Sequence, residues 1–264
     1  MSQTETKARR KCPVVVIANP KGGVGKTTTI INLAHALGIQ SYRVLVLDLD
    51  PMRTATLYSG KEPLDGFIEG VSASNDSDFS KLVVPRVGFH LIPAGPNLGM
   101  TETSMSDGEM NFGWVKRLIN EFRRDYDVIL IDTAPGRSAL RWAAISAATN
   151  VLVPVDPSPA AIHGLQRIGH EAKVFVPKKA THFRFITPFL SRYYAPSSEI
   201  LLRDTTRVAE ALTGTILSSI RDAKFVRESQ WERESVFTYK LGSGVGRDYF
   251  ELAECLAEMI GVGR

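Results

Sequence analysis

The chain alternates short runs of apolar residues with longer segments whose apolar positions have helical spacing. Five runs lie at Val14–Asn19, Val44–Leu49, Val128–Asp132, Val151–Val155 and Phe183–Pro188, and a shorter one lies at Phe89–Ile92. Most are apolar at successive positions, which is typical of parallel strands that are covered on both faces. The helical segments between them predict an α/β fold, a doubly wound and mostly parallel sheet flanked by helices.

The segment after the first strand has the pattern of one helix face. Its apolar residues at the i, i+3, i+4 and i+7 positions are Ile30, Leu33, Ala34 and Leu37. We expect this helix to end at Gly38, because glycine is common just past helix C-termini. The opening unit is therefore a strand, a glycine-rich loop and a helix.

The last predicted helix, at residues 249–264, has one apolar stripe made of Leu252, Leu256, Met259 and Ile260. This spacing is expected of a helix that docks on the core of its own domain. Its charged positions are Glu251, Glu254 and Glu258 with a single terminal arginine. Acidic charge opposes binding to an anionic membrane, so we expect a structural helix and no membrane contact.

Length and composition favour one large domain. The 264 residues, 44% of them hydrophobic, suffice for a single domain over residues 13–264. Residues 1–12 are predicted to be a flexible tail, without the apolar segment of a signal peptide. No stretch reaches the ~18 apolar residues of a membrane-spanning helix. Cys12 and Cys255 have no metal-binding or disulfide spacing, so we expect a reducing cytoplasm.

The strongest chemical signal is the sequence KGGVGKTT at residues 21–28, directly between the first strand and its helix. Glycines in such a loop let backbone N–H groups turn inward around phosphate oxygens. By position, Lys26 reaches the β and γ phosphates, Thr27 places its hydroxyl on Mg²⁺, and Thr28 adds a phosphate contact. The predicted site for ATP with Mg²⁺ comprises Gly22, Gly23, Val24, Gly25, Lys26, Thr27 and Thr28.

Two further strand ends supply carboxylates. Asp48 and Asp50 are two residues apart, so they share one face of an extended chain, and Pro51 disfavours helical geometry at Asp50. Asp132 ends an apolar run in the manner of a Walker B aspartate, which holds Mg²⁺ directly or through water. We assign Thr27, Asp48 and Asp132 to the metal site, although apolar strands often end in aspartate for other reasons.

The phosphate loop departs from the usual pattern, which has a glycine where Pro20 stands, and it carries an additional lysine, Lys21. This variant resembles the deviant Walker A motif of the ParA/MinD superfamily, and the resemblance continues through Val151–Leu165 and Ile220–Gln230. It implies an ATP-dependent homodimer in which Lys21 enters the partner's nucleotide site, and it gives Asp50 the role of orienting the attacking water. Lys21 and Asp50 are therefore the predicted catalytic residues.

The resemblance also extends to the residues after Asp132. Residues 133–136 look like the family's second switch, in which a backbone group near Gly136 senses the γ-phosphate. A plain strand-to-helix turn is the alternative. Pro20, Met52 and Arg53 depart from the many partition ATPases that carry glutamine and a glycine-containing stretch there, so partner specificity and hydrolysis rate do not follow from the resemblance.

The net charge is only mildly basic, with 32 Lys or Arg against 28 Asp or Glu, so a DNA surface needs local clustering. Residues 178–233 contain ten basic and six acidic residues. Arg203 and Arg207 share one face of a predicted helix, and Arg221, Lys224 and Arg227 follow in a loop that resembles the DNA-contacting region of ParA. These five residues are the predicted DNA-binding set; a solvated, ion-paired helix face is the alternative.

The function implied by the resemblance is spatial positioning. Cluster-carrying members of the superfamily need cysteines in the middle of the chain, where this sequence has none. We expect a cytoplasmic, nucleoid-associated ATPase that binds DNA nonspecifically and moves a plasmid, a chromosome or a protein assembly, with hydrolysis stimulated by a ParB-like or adaptor protein. A MinD-like membrane-associated regulator and a metabolic P-loop enzyme acting on a small molecule are the alternatives.

Overall fold

A computed structural model of the protein describes residues 12–60, 66–73, 79–108, 111–176, 183–193 and 199–262. The strands are β1 (Val14–Ile17), β2 (Val44–Leu49), β3 (Val84–Arg86), β4 (Phe89–Ile92), β5 (Val128–Thr133), β6 (Asn150–Val155), β7 (Phe185–Tyr193) and β8 (Leu217–Arg221). They form one eight-stranded sheet in the order β3-β4-β2-β5-β1-β6-β7-β8.

Neighbouring strands are parallel, except that β3 pairs with β4 in the antiparallel direction at one edge of the sheet. Every residue of the central strand β1 is fully buried, as its unbroken apolar run predicts for a strand covered on both faces. The predicted α/β fold with a mostly parallel sheet is therefore confirmed.

The strand predictions need correction near the other edge. β7 begins two residues later than predicted and continues beyond Pro188 to Tyr193. Proline removes only one ladder hydrogen bond, and the strand continues because Phe189 and Leu190 beyond it are buried. The pattern does not predict the edge strands β3 and β8, since neither is an unbroken apolar run.

Helices cover both faces of the sheet. They are α1 (Lys26–Ile39), α2 (Thr54–Tyr58), α3 (Gly70–Ala73), α4 (Leu98–Ser106), α5 (Gly113–Phe122), α6 (Ala139–Ala147), α7 (Pro159–Phe175), α8 (Glu199–Thr213), α9 (Lys224–Glu232), α10 (Val236–Tyr239) and α11 (Gly244–Ile260). Helices α4 to α8 pack on one half of the core, and α1, α10 and α11 pack on the other half.

The helix α1 runs one residue past Gly38, where we expected it to end, and Gln40 caps it. A Cβ atom at position 38 would lie 1.9 Å from the carbonyl oxygen of Gly88. Glycine is therefore required here for close packing against the turn between β3 and β4, and the expectation of a helix terminus is wrong.

The C-terminal helix α11 docks as its apolar pattern predicts, with Leu252, Leu256 and Ile260 buried against the half of the core that contains α1. Cys12 is 4% exposed and belongs to the other half of the core. The prediction that the flexible tail includes Cys12 is therefore wrong, and residues 1–11 of that tail lie outside the described residues. Within the described ranges, no helix has the length and apolar character to cross a membrane.

Candidate nucleotide site

Three central strands end at one cleft. The order β2-β5-β1 with parallel pairing brings their carboxyl ends to one edge of the sheet, where open α/β sheets bind ligands. The cleft has a volume of about 420 Å³. Of the residues predicted to bind nucleotide or metal or to act in catalysis, it is lined by Gly23, Gly25, Lys26, Thr27, Thr28 and Asp50. Gly25 has φ of 89° and turns the chain into α1, a conformation that glycine adopts without strain.

Lys26 begins α1 and is only 6% exposed. Its ammonium donates a hydrogen bond to the carbonyl oxygen of Lys21 at 3.3 Å. Burial lowers the pKa of Lys26, whereas the negative charges of Asp132 and Asp50 raise it. The lysine therefore lies under the phosphate loop and within electrostatic reach of both carboxylates.

Asp48 is fully buried, and both of its carboxylate oxygens accept hydrogen bonds from the protein. Oδ1 accepts from the N–H of Asp50 at 3.0 Å, and Oδ2 accepts from the N–H and the hydroxyl of Thr56 at 2.8 and 2.6 Å. These bonds tie the end of β2 to α2. The assignment of Asp48 to the metal site needs correction, because its oxygens hold the loop that carries Asp50 instead.

Asp50 faces the cleft and is 5% exposed. Its Oδ1 accepts a hydrogen bond from the N–H of Met52 at 2.9 Å. Burial raises the pKa of Asp50, whereas this hydrogen bond and the charge of Lys26 lower it. The carboxylate is thus a buried hydrogen-bond acceptor on the wall of the cleft.

Asp132 supplies the feature that fits a cation. Its Oδ1 accepts from the N–H of Thr133 at 3.1 Å, while its buried Oδ2 has no hydrogen-bond partner among the described residues. Burial raises the pKa of Asp132 well above its ordinary value and repulsion by Asp48 raises it further, whereas the Thr27 hydroxyl lowers it. A buried carboxylate oxygen beside a threonine hydroxyl is a donor set that suits Mg²⁺. Thr27 and Asp132 therefore fit the predicted metal site.

Lys21 is bound within its own chain. Its ammonium donates to Oδ2 of Asp156 at 2.5 Å and to the hydroxyl of Ser158 at 3.0 Å. Both acceptors lie between β6 and α7, and the side chains of Lys21 and Asp156 are 30% and 28% exposed. An ion pair of this kind is partly shielded from water, so it holds the lysine against the segment between β6 and α7.

The predicted sensor at Gly136 is also engaged inside the chain. Its N–H donates to the carbonyl oxygen of Pro20 at 2.9 Å, which links the loop after β5 to the start of the phosphate loop. The neighbouring residue Pro135 lines the cleft. The two loops that the sequence singles out are therefore in direct contact.

Several residues of the site were not found from the sequence. The Ser191 hydroxyl donates to the carbonyl oxygen of Val24 at 2.8 Å, and Arg192 donates to that of Gly23. Gln230 of α9 donates to the hydroxyl of Thr28 at 2.6 Å. All three come from segments far away in the sequence and form no motif with the loop, so no sequence signal identified them.

The predicted DNA-binding residues do not form one free surface. Arg221 makes a bidentate ion pair with Asp248, with both N–O distances at 2.7 Å. Arg221 and Arg227 line the nucleotide cleft, and Arg227 pairs with Asp222 at 3.4 Å. The expected loop is in fact the end of β8 followed by the helix α9.

The remaining predicted DNA-binding residues lie on helices. Lys224 of α9 pairs with Glu228 at 3.9 Å. Arg203 of α8 pairs with Asp204 at 3.4 Å, and Arg207 is exposed one turn further along. Because α8 packs with α7 whereas Val226 of α9 packs on the opposite half of the core, the predicted set is divided between the two faces of the sheet.

A parallel sheet with a glycine-rich phosphate loop, a buried lysine at the start of α1 and facing carboxylates defines a P-loop nucleotide-binding protein. The model of the AAA domain family matches residues 12–185. The chain belongs to this family, within the ParA/MinD group of P-loop ATPases.

Individual proteins agree with this assignment. The chromosome-partitioning ATPase Soj of Thermus thermophilus is 38% identical over 160 residues, which are 60% of each chain, and the chain spans about three-fifths of the length of the curated relatives it matches. The ATP complex of Cyanothece McdA superposes with a TM-score of 0.79 at 21% identity, over 96% of this chain and 98% of McdA. Septum site-determining protein MinD of Pyrococcus horikoshii, complexed with Mg-ADP, gives 0.78 at 20% identity, over 95% and 98%.

Proposed function

We propose that this chain is an ATP-dependent dimerising switch that binds DNA nonspecifically and positions or segregates a cargo. Family membership supports a role in partitioning or positioning. The observation that carries the proposal is the buried Lys26 at the start of α1, beneath a phosphate loop and within electrostatic reach of Asp50 and Asp132. A triphosphate in the cleft would bring the negative charge that this lysine and the loop N–H groups bind.

Mg²⁺ would be held by Thr27 and Asp132. The unpartnered Oδ2 of Asp132 is the observation in favour, since buried carboxylate oxygens are normally satisfied. When bound, Mg²⁺ would neutralise part of the phosphate charge. Asp48 would act indirectly, because its hydrogen bonds to Asp50 and Thr56 fix the loop beside the cation.

Hydrolysis would depend on Asp50. Its carboxylate faces the cleft and is positioned by Met52 and Asp48, so it would accept a hydrogen bond from the attacking water and orient it toward the γ-phosphate. Turnover would be slow in the isolated chain and stimulated by a ParB-like or adaptor protein.

Dimerisation would place Lys21 in the nucleotide site of a second copy. For this the lysine would have to leave Asp156 and Ser158, whose hydrogen bonds hold it in its own chain. The side chain of the lysine is 30% exposed, so a short change of side-chain conformation would free it. The ion pair then opposes dimerisation until ATP contributes the binding energy to replace it.

DNA binding would use the phosphate backbone. Arg203, Arg207 and Lys224 carry exposed charge outside the cleft, and cations on helices contact phosphates without reading bases. Arg221 and Arg227 belong to the predicted set, but their position in the cleft favours contact with the nucleotide instead. A nucleoid-bound protein would carry a plasmid, a chromosome or a protein assembly.

Two substitutions test the enzymatic part. Lys26→Ala should lose ATP binding, whereas Asp50→Ala should still bind ATP and form a persistent dimer with little turnover. The measurements are nucleotide titration calorimetry, phosphate release and sedimentation, with Asp107→Asn as an exposed control. Normal phosphate release by Asp50→Ala would contradict the assignment of Asp50 as the residue that orients the attacking water.

A further inference from the structure

One buried ion pair of this molecule is outside the predicted site. Arg141 in the first turn of α6 is fully buried, and its guanidinium binds both oxygens of Glu171 of α7 at 3.1 and 2.9 Å. Its remaining nitrogen, Nη1, donates to the carbonyl oxygen of Ala134 at 3.2 Å. Because burying an arginine away from water is costly, this geometry calls for a reason beyond packing.

The position of Ala134 supplies that reason. It lies between Asp132, which fits the metal site, and Gly136, whose N–H binds Pro20 of the phosphate loop. Arg141 is also close enough for its charge to act on Lys26. A guanidinium with three fixed acceptors therefore anchors the loop after β5 at its first residue.

The other end of this ion pair is on α7, and two contacts connect α7 or the residues just before it with the segment around the phosphate loop. Asp156 and Ser158, just before α7, bind the ammonium of Lys21. Further along, Gly164 packs so closely on Asn19 that an added Cβ would lie 2.3 Å from its Oδ1. Glu171 follows Gly164 by seven residues, about 10 Å along the helix axis, so α7 connects to both loops of the site.

The geometry points to Arg141 and Glu171 as positioning residues that couple the loop after β5 to α7. When the nucleotide changes the position of Ala134, the guanidinium transfers that displacement to Glu171 and thus to α7, which directly follows the two residues that bind Lys21. The inference rests on the proposed function, since it requires a nucleotide in the cleft. It adds a mechanical connection that is part of neither the phosphate loop nor the segment from Asp132 to Gly136.

The molecule carries a natural reporter of this connection. Trp142 directly follows Arg141 on α6, and its ring stacks on Phe175 of α7 with centroids 4.8 Å apart and an interplanar angle of 14°. A shift of α7 relative to α6 changes this stacking and the fluorescence of Trp142. The other two tryptophans are Trp114, buried on α5, and Trp231, 87% exposed on α9, so the measurement uses a parent with Trp114→Phe and Trp231→Phe.

The test replaces both charged partners. Arg141→Leu with Glu171→Leu removes the anchor without leaving a buried charge unpaired, which proteins tolerate well. The parent should show different tryptophan emission with Mg-ADP and with a non-hydrolysable Mg-ATP analogue. The double variant should bind both nucleotides but lose this difference in emission. The ratio of its affinities for the analogue and for ADP should be closer to one than the parent's ratio by a factor of at least five.

Controls separate coupling from general damage. Arg167→Leu removes the outer partner of Glu171, which binds at 3.2 Å and is 43% exposed, and should behave like the parent. Should the double variant fail to fold, Arg141→Lys keeps the charge but cannot reach Glu171 and Ala134 together, and it should show the same loss. The inference is overturned if either variant retains the parent's emission difference and affinity ratio, or if a nucleotide-binding parent shows no difference. A parent that binds no nucleotide contradicts the proposed function itself.

Discussion

At the scale of single residues, Lys21 would decide how the proposed switch starts. In the monomer its charge is already satisfied by Asp156 and Ser158, so a dimer must offer a better site than these two acceptors. A partly exposed ion pair of this kind is worth about 1 kcal/mol after solvent screening. In the proposed switch, the pair would therefore be strong enough to set the ATP concentration at which dimers form, and weak enough to be broken.

Asp156→Asn tests this threshold. Loss of the carboxylate removes the charge that holds Lys21, so the ATP concentration for half-maximal dimerisation should fall roughly fivefold, the equivalent of about 1 kcal/mol. Analytical ultracentrifugation over an ATP series measures it, with Asp107→Asn as the matched exposed aspartate. An unchanged or higher midpoint would show that Asp156 does not restrain the lysine.

The phosphate-loop residues could be predicted because they are consecutive, and their roles follow from position in the loop. Asp48 was misassigned because alternation along β2 gives the face of a side chain but not its hydrogen-bond partners, and Thr56 lies eight residues further on. Arg141 and Gln230 gave no signal, since each contacts the site or its loops through residues distant in sequence.

At the scale of elements, α11 carries much of one half of the core. It packs on α1, the helix that begins with Lys26, so the phosphate loop depends on this packing for its position. Leu252 and Leu256 are fully buried, whereas Glu254 between them is exposed. One face of α11 is therefore buried in the core and the other is exposed to solvent.

Leu252→Ala should lower the free energy of unfolding by about 2–5 kcal/mol, because the substitution leaves a cavity between α11 and the sheet. Urea denaturation followed by circular dichroism measures this change. Glu254→Ala on the solvent side of the same helix should stay within about 0.5 kcal/mol of the parent. A decrease below about 1 kcal/mol for Leu252→Ala would mean that α11 contributes little to the core.

The central elements were predictable because their apolar runs are unbroken. Edge elements were not: β8 mixes serine and arginine with apolar residues, and the loop expected in place of α9 was implied by the resemblance to ParA. Gly38 was wrongly predicted to end α1, because its role is a close tertiary contact with Gly88 that the sequence does not reveal.

At the scale of the whole molecule, the division of the predicted DNA-binding residues between two faces matters most. A single chain presents only part of this charge to one duplex, so two chains held together would present more cations to the phosphates along it. DNA affinity should therefore depend on ATP through dimerisation.

Salt dependence tests this surface. Binding to random-sequence DNA should appear with ATP and weaken steeply with salt, and Arg203→Ala with Arg207→Ala should reduce the log-log slope by about 0.9 for each phosphate that is no longer neutralised. Fluorescence anisotropy over a salt series measures it, with Arg124→Ala, an exposed residue just after α5, as the control. Equal affinity in ADP, or an unchanged slope in the double variant, would argue against DNA binding through α8.

The most direct measurement is the mass of the purified chain by multi-angle light scattering with a non-hydrolysable ATP analogue and Mg²⁺. The account predicts a shift from the 29.0 kDa of one chain to twice that mass. The chain with ADP, and the Lys21→Ala variant with the ATP analogue, should both keep the mass of the monomer. A chain that binds the analogue but keeps the monomer mass at all protein concentrations would contradict the proposed ATP-dependent dimer.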